Sequence, residues 1–157
     1  MVNFFKMFKI NEAVNIDADE LTDKYFDLRS KAYDDEDDEL AAQINDGYSV
    51  LNGFFSRVCH ILSVNGFSID EIKLDDDFLN EVMDLSEMMM DNNADALAKI
   101  KEEYAKEINL IAEAFENNDY KKMSVSVAKL RYFGRLSNDS HEDMYKYYLK
   151  LIRENNE

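Results

Sequence analysis

The stretch "YFDLRSKAYDDEDDELAAQIND", Tyr25 to Asp46, decides how this chain is read. Its first half continues a helical pattern that carries Lys24, Arg29 and Lys31. Its second half resumes a helical pattern at Leu40, and between the two lie six consecutive acids, Asp34 to Glu39. Upstream, Asp17 is an N-cap residue type, and Leu21, Tyr25 and Leu28 recur at i, i+4 and i+7. Downstream, Leu40, Ile44, Tyr48 and Leu51 fall on one helical face. The acidic block therefore separates two amphipathic helices, and solvated charge is the plainest reading of it.

The pattern extends in both directions. A short helix is predicted over residues 3–9, with Phe4, Phe5 and Phe8 as its apolar part, and "GFFSRVCHILSVNGF" gives a fourth helix ending near Asn65-Gly66. These four helices make a first domain, residues 1–66. Residues 67–75, "FSIDEIKLD", read as a polar linker. Beyond it, residues 76–157 hold three longer helical segments, 76–91, 94–116 and 120–155, with turns expected at "NNA" and "NNDY" and an interruption at "LSNDSHED". Asp119 is the expected cap after the second turn. Short connections imply antiparallel neighbours, hence a C-terminal three-helix bundle. With no proline and four glycines there are few breakers, and the fold class is all-α.

Composition narrows the function. Net charge is −16 and neither domain offers a basic footprint, since residues 1–66 carry 13 acids against 6 bases and the remainder 21 against 12. Nucleic-acid binding is disfavoured on that ground. No apolar run approaches the length of a membrane span, the first residues do not have the form of a secretory signal, and one cysteine excludes an internal disulfide framework. The cytoplasm is the expected location.

Signals for catalysis or metal binding are weak. Cys59 and His60 are adjacent, so on a helix they point about 100° apart and do not pair as nucleophile and base. His60 and His141 read as packing residues. Phosphate-loop, dinucleotide and serine-elbow signatures are absent, and neither Asp75–Asp77 nor the Asp34–Glu39 block has the alternating spacing and central glycine of a calcium loop. No metal, cofactor or catalytic residue is expected. The informative segment is "DDDFLNEVMDLSEMMMDNNAD". On a helix Phe78, Val82, Leu85 and Met89 make a core stripe, and Leu79, Met83 and Met90 make a second stripe about 100° further round. Beside that second stripe lie Asn80, Asp84, Glu87 and Asp91, and no Lys or Arg occurs between Lys73 and Lys99. Such a strip suits a partner with an apolar spot ringed by bases, although a helix wedged between two others also needs a wide apolar face.

Several segments, taken in order, resemble the HscB family of J-domain co-chaperones of iron–sulfur cluster assembly. They are "VNFFKMFKI", "LTDKYFDLRSKAY", "AQINDGYSVLNGFFSRVCHILSVNGFSI", "DDDFLNEVMDLSEM" and "VAKLRYFGRL". The resemblance implies an N-terminal J-domain that stimulates a DnaK-type chaperone and a C-terminal bundle that binds the cluster scaffold protein. It implies no catalysis by the chain itself. The family's scaffold-binding positions fall on Leu79, Asn80, Met83, Asp84, Glu87 and Asp91, with Tyr132 from the last helix. Asn80 stands where an apolar residue is usual.

The N-terminal domain departs from the family at the acidic block. The His-Pro-Asp positions of a J-domain fall on Tyr33, Asp34 and Asp35, of which only the last is retained. Lys24, Arg29 and Lys31 keep the basic helix face that meets an acidic chaperone surface in the family, but the acids beside them oppose that approach. Two other functions remain open: a J-like interaction module independent of any chaperone, and a cation-dependent enzyme using Asp34–Glu39.

Overall fold

The computed structural model describes residues 1–91 and 94–156, and the turn expected at "NNA" lies largely outside them. The described chain is helical throughout and divides into two compact units, Met1–Asn65 and Gly66–Glu157. Within those residues no helix is long and apolar enough to cross a membrane.

The first unit contains α1 (Phe4–Phe8), α2 (Ala18–Asp34), α3 (Asp38–Asn52) and α4 (Phe54–Val64). Its core is made by Phe5, Phe8, Leu21, Ile44, Leu51, Phe54, Val58 and Ile61. Helices α2 and α3 lie antiparallel, with the Tyr25 hydroxyl and the Arg29 guanidinium both donating to Asn45 Oδ1 at 2.8 and 2.6 Å. Gly47 lets α1 sit directly on α3, because a Cβ there would stand 2.7 Å from ring atoms of both Phe4 and Phe8. Arg57 is buried and donates to the carbonyls of Val14 and Leu51, each at 2.8 Å, which ties the α1–α2 connection to α4. His60 accepts from the Phe4 amide at 3.0 Å, and burial holds its pKa below the ordinary imidazole value, against an opposing pull from Glu12. An imidazole that must accept at Nε2 is kept neutral by the same packing that buries it.

The second unit contains a 3₁₀ turn at Ile69–Glu71, then α5 (Asp76–Met90), α6 (Ala94–Glu116), α7 (Tyr120–Ser137) and α8 (His141–Asn155). The stretch 67–75, expected as a linker, falls within this unit: its 3₁₀ turn packs on α7, and Arg131 meets Asp70 at 2.7 Å. Helices α5, α6 and α7 pack on one another. Between α6 and α7 Asn118 adopts a positive φ of 55°, the Asp119 amide returns to Ala114 O at 2.8 Å, and the Asp119 carboxylate caps α7. The long last segment is two helices. Asn138 stops α7 in the left-handed region at φ 59°, Ser140 caps α8, and α8 packs on α6. Tyr104 and His141 share a 2.6 Å hydrogen bond across that contact, and the Tyr148 hydroxyl donates to Asn109 at 2.9 Å. The bundle thus has three long legs, the third broken by an asparagine that tolerates the left-handed conformation.

Candidate partner-binding faces

Helix α5 begins on Asp75, whose carboxylate accepts from the Phe78 amide at 2.8 Å, and Asp76 and Asp77 stand in its first turn, where the helix dipole favours acids. Its inward face carries Phe78 and Leu85, both buried, with Val82 and Met89 half-buried beside them. The second stripe faces outward. Met83 is 62% exposed and Met90 81%, Leu79 is half-buried, and Asn80, Asp84, Glu87 and Asp91 are exposed. Tyr132 of α7 is half-buried, edge-on to Phe78 with ring centroids 5.9 Å apart, and the Arg135 guanidinium lies 6.0 Å from its ring. Its ring contact is with Phe78, on the inward face of α5.

The acids on α5 divide by what the helix itself needs. Asp75, Asp76 and Asp77 stabilise its start. Glu87 and Asp91 lie at its carboxyl end, where the last turn has no base and the dipole disfavours negative charge by roughly 0.3–1 kcal/mol per group. An exposed methionine pair bordered by acids that the helix does not need for its own stability is a surface suited to a basic, apolar partner.

In the first unit the acidic block proves to be a compact turn. Tyr33 and Asp34 belong to the last turn of α2 and Asp35 is its C-cap. Glu36 takes φ 52°, and the amides of Glu36 and Asp37 return to Tyr33 O at 3.1 Å and Ala32 O at 3.0 Å, a Schellman closure. Asp37 then caps α3 through Leu40 N at 3.0 Å, with Asp38 and Glu39 in the first turn. The three positions expected to carry the J-domain motif therefore lie at the end of a helix. Tyr33 is 83% exposed, and Arg29 turns toward Asn45 with its guanidinium 6.0 Å from the Tyr25 ring. Lys24 is half-buried and Lys31 exposed, so the expected basic face is retained only in part as free surface.

One buried charge escaped the sequence reading. Glu107 of α6 is 8% exposed; burial raises its pKa, while the Ser126 hydroxyl and Lys129, 3.9 Å away, pull it back. Glu103 and Glu81 add to the upward shift. The signal was present, since Glu107 shares a helical face with Ile100, Ile111 and Ala114, all buried. Among the described residues no group of three or more His, Cys, Asp or Glu is placed to hold a metal ion.

Comparison with known proteins places this geometry in context. A family model described as the HSCB C-terminal oligomerisation domain matches residues 74–140, the span of α5, α6 and α7. The iron–sulfur cluster co-chaperone protein HscB of Homo sapiens is 24% identical over 153 residues, covering 85% of this chain and 65% of the human protein. The co-chaperone protein HscB of Buchnera aphidicola subsp. Acyrthosiphon pisum is 27% identical, covering 96% of this chain and 99% of that one. The chain thus spans about two thirds of the human relative but the full length of the bacterial one. The crystal structure of human HscB superposes with TM-score 0.75 over 98% of this chain and 84% of that one at 20% identity. HscB from Vibrio cholerae gives 0.72 over 96% and 99%, also at 20% identity. The chain is similar to HscB proteins over nearly its whole length, and residues 74–140 of its second unit match the model of the HSCB C-terminal oligomerisation domain.

Proposed function

We propose that this protein acts in iron–sulfur cluster assembly as an HscB-like adaptor, in the cytoplasm, binding the cluster scaffold protein through the outward face of α5. The observation that carries the reading is the exposure of Met83 and Met90 on a helix whose opposite side is buried, with Asp84, Glu87 and Asp91 beside them. Leu79 and Met83 are the apolar anchors, Asn80 adds a polar contact, the three acids meet bases on the scaffold, and Tyr132 lies at the margin. The names borne by the relatives support the same role. The chain catalyses nothing in this reading and needs no cofactor.

Calorimetric titration with the iron–sulfur scaffold protein of the same organism tests it. Saturable one-site binding is expected. Replacing Leu79 and Met83 by Ala should cost roughly 1–3 kcal/mol per anchor. Normal affinity in a folded double variant rejects this face, and no binding at all rejects the adaptor role.

A DnaK-type chaperone is the second partner implied by the family, and a different outcome is proposed for it. With tyrosine and aspartate at 33 and 34 where the family motif has His-Pro, this reading expects no stimulation of that chaperone's ATPase through the usual motif. The same departure favours the alternative of a J-like interaction module independent of any chaperone. Strong ATPase stimulation by the wild-type chain would refute both statements.

A further inference from the structure

The carboxyl end of α2 exposes more aromatic surface than its own fold requires. Phe26 is 62% exposed and Tyr33 83%, and with Ser30 they occupy positions i, i+4 and i+7 on one helical face. Together with Tyr25 and Arg29 they line a cleft of about 310 Å³. A second concavity of about 460 Å³ adjoins it, sharing Arg29 and Tyr33 and lined otherwise by Ala32, Ala41 and the acids Glu36, Asp37 and Asp38. Asp34 lines the first cleft as well, and Asp23 and Asp27, both exposed, stand beside Phe26 on the same helix.

Two features make this a formed surface. Arg29 is held by Asn45 at 2.6 Å, and Tyr25 by the same amide at 2.8 Å, so the floor of the aromatic cleft is ordered before any contact. The Schellman closure at Glu36 fixes the acids of the second concavity relative to Tyr33. Local charge is negative on both flanks, which repels an acidic surface and attracts a basic one.

We propose that this end of α2 is a docking site for a basic amphipathic segment of a partner protein, which seats an apolar side chain between Phe26 and Tyr33 and a lysine or arginine against Glu36–Asp38. The site is separate from the α5 face and does not depend on the reading given to that face. It inverts the charge preference expected of a basic J-domain helix, so the partner presents a positive surface here.

The test is an amide-resolved NMR titration of the full chain with a short synthetic peptide alternating leucine and lysine, and with the same peptide carrying glutamate in place of lysine. Saturable shifts centred on residues 23–38 with the lysine peptide, and none with the glutamate peptide, are expected. Phe26→Ala combined with Tyr33→Ala should weaken binding about tenfold or more, and both side chains are exposed enough for the unit to stay folded. Asp27→Asn with Asp34→Asn should weaken it in a salt-dependent way, and Leu79→Ala with Met83→Ala should leave it unchanged. Shifts centred elsewhere, equal binding of the glutamate peptide, no saturation, or undiminished affinity in the aromatic double variant would each overturn the proposal.

Discussion

The turn between α2 and α3 and the outward face of α5 have nearly the same chemistry and were built for different reasons. Each combines exposed apolar side chains with a dense set of acids. At the turn, half the acid block has local work: Asp37 caps α3, and Asp38 and Glu39 sit where its dipole favours them. On α5 the order is reversed, with useful acids at the start of the helix and Glu87 and Asp91 at the end, where they weaken it. A local strain that the helix does not need points to selection for something outside the helix. Acid content alone therefore says little; its position relative to helix ends separates acids that stabilise a helix from acids that do not.

The contrast can be broken most strongly on α5 itself. Leu85 and Met83 are two residues apart but face opposite ways, 1% and 62% exposed. Leu85→Ala should cost about 2–5 kcal/mol of stability in denaturant unfolding. Met83→Ala should fall within about 0.5 kcal/mol of the parent. A large loss at Met83 would make the outward stripe part of the core and remove the case for a binding face.

In the first unit the corresponding test is Gly47→Ala. The added methyl meets the rings of Phe4 and Phe8 at 2.7 Å, and the expected loss is about 1–3 kcal/mol, read as faster hydrogen exchange in α1 and α3. The turn gives a change of opposite sign. Glu36 holds φ 52° where glycine is unstrained, so Glu36→Gly should stabilise the first unit by about 0.5–1 kcal/mol. A loss there would show that the Glu36 side chain makes a contact worth more than the backbone strain.

The smallest expected effect is a pH slope that differs between the units. His60 has a lowered pKa in the fold, so the unfolded chain binds the proton first as pH falls. Its contribution is complete above the ordinary value of 6.5 and declines as pH drops below it, toward the depressed folded value. Glu107 has a raised pKa, so its contribution is complete below the ordinary value of 4.5 and is lost as pH rises through the folded value. The protection of the Phe4 amide, taken relative to its intrinsic exchange rate at each pH, should fall on acidification in the parent and lose that dependence in His60→Gln. Glu107→Gln should remove the opposite slope from the second unit. The lowered pKa of His141 acts in the same sense as that of His60, so only the difference between parent and Glu107→Gln isolates the carboxyl.

Much of the architecture was legible before any coordinates. Among the described residues the α-helices fall close to the seven segments that apolar spacing, Asp17, Asp119 and the Asn65-Gly66 stop mark out, the last segment being divided at the expected interruption. The two stripes of α5 separate on the helical wheel as they do in the fold, because 3.6-residue periodicity alone fixes which residues share a face. The sequence was less informative where a side chain's meaning depends on what approaches it. Gly47 is one such place: only the approach of Phe4 and Phe8 shows why no side chain fits there.

Helix content, the acidic balance, the six-acid block after Tyr33, and the order of the α5 stripes were determined by the sequence itself, since each depends on residue identity and local spacing. The tertiary structure alone decided that the acid block closes a Schellman turn, that Tyr132 leans on Phe78 while remaining half-exposed, and that Arg29 is drawn to Asn45. Those outcomes depend on contacts between residues distant along the chain or on a backbone hand that several sequences could adopt. Local spacing sets a helical face, and only packing decides what covers it.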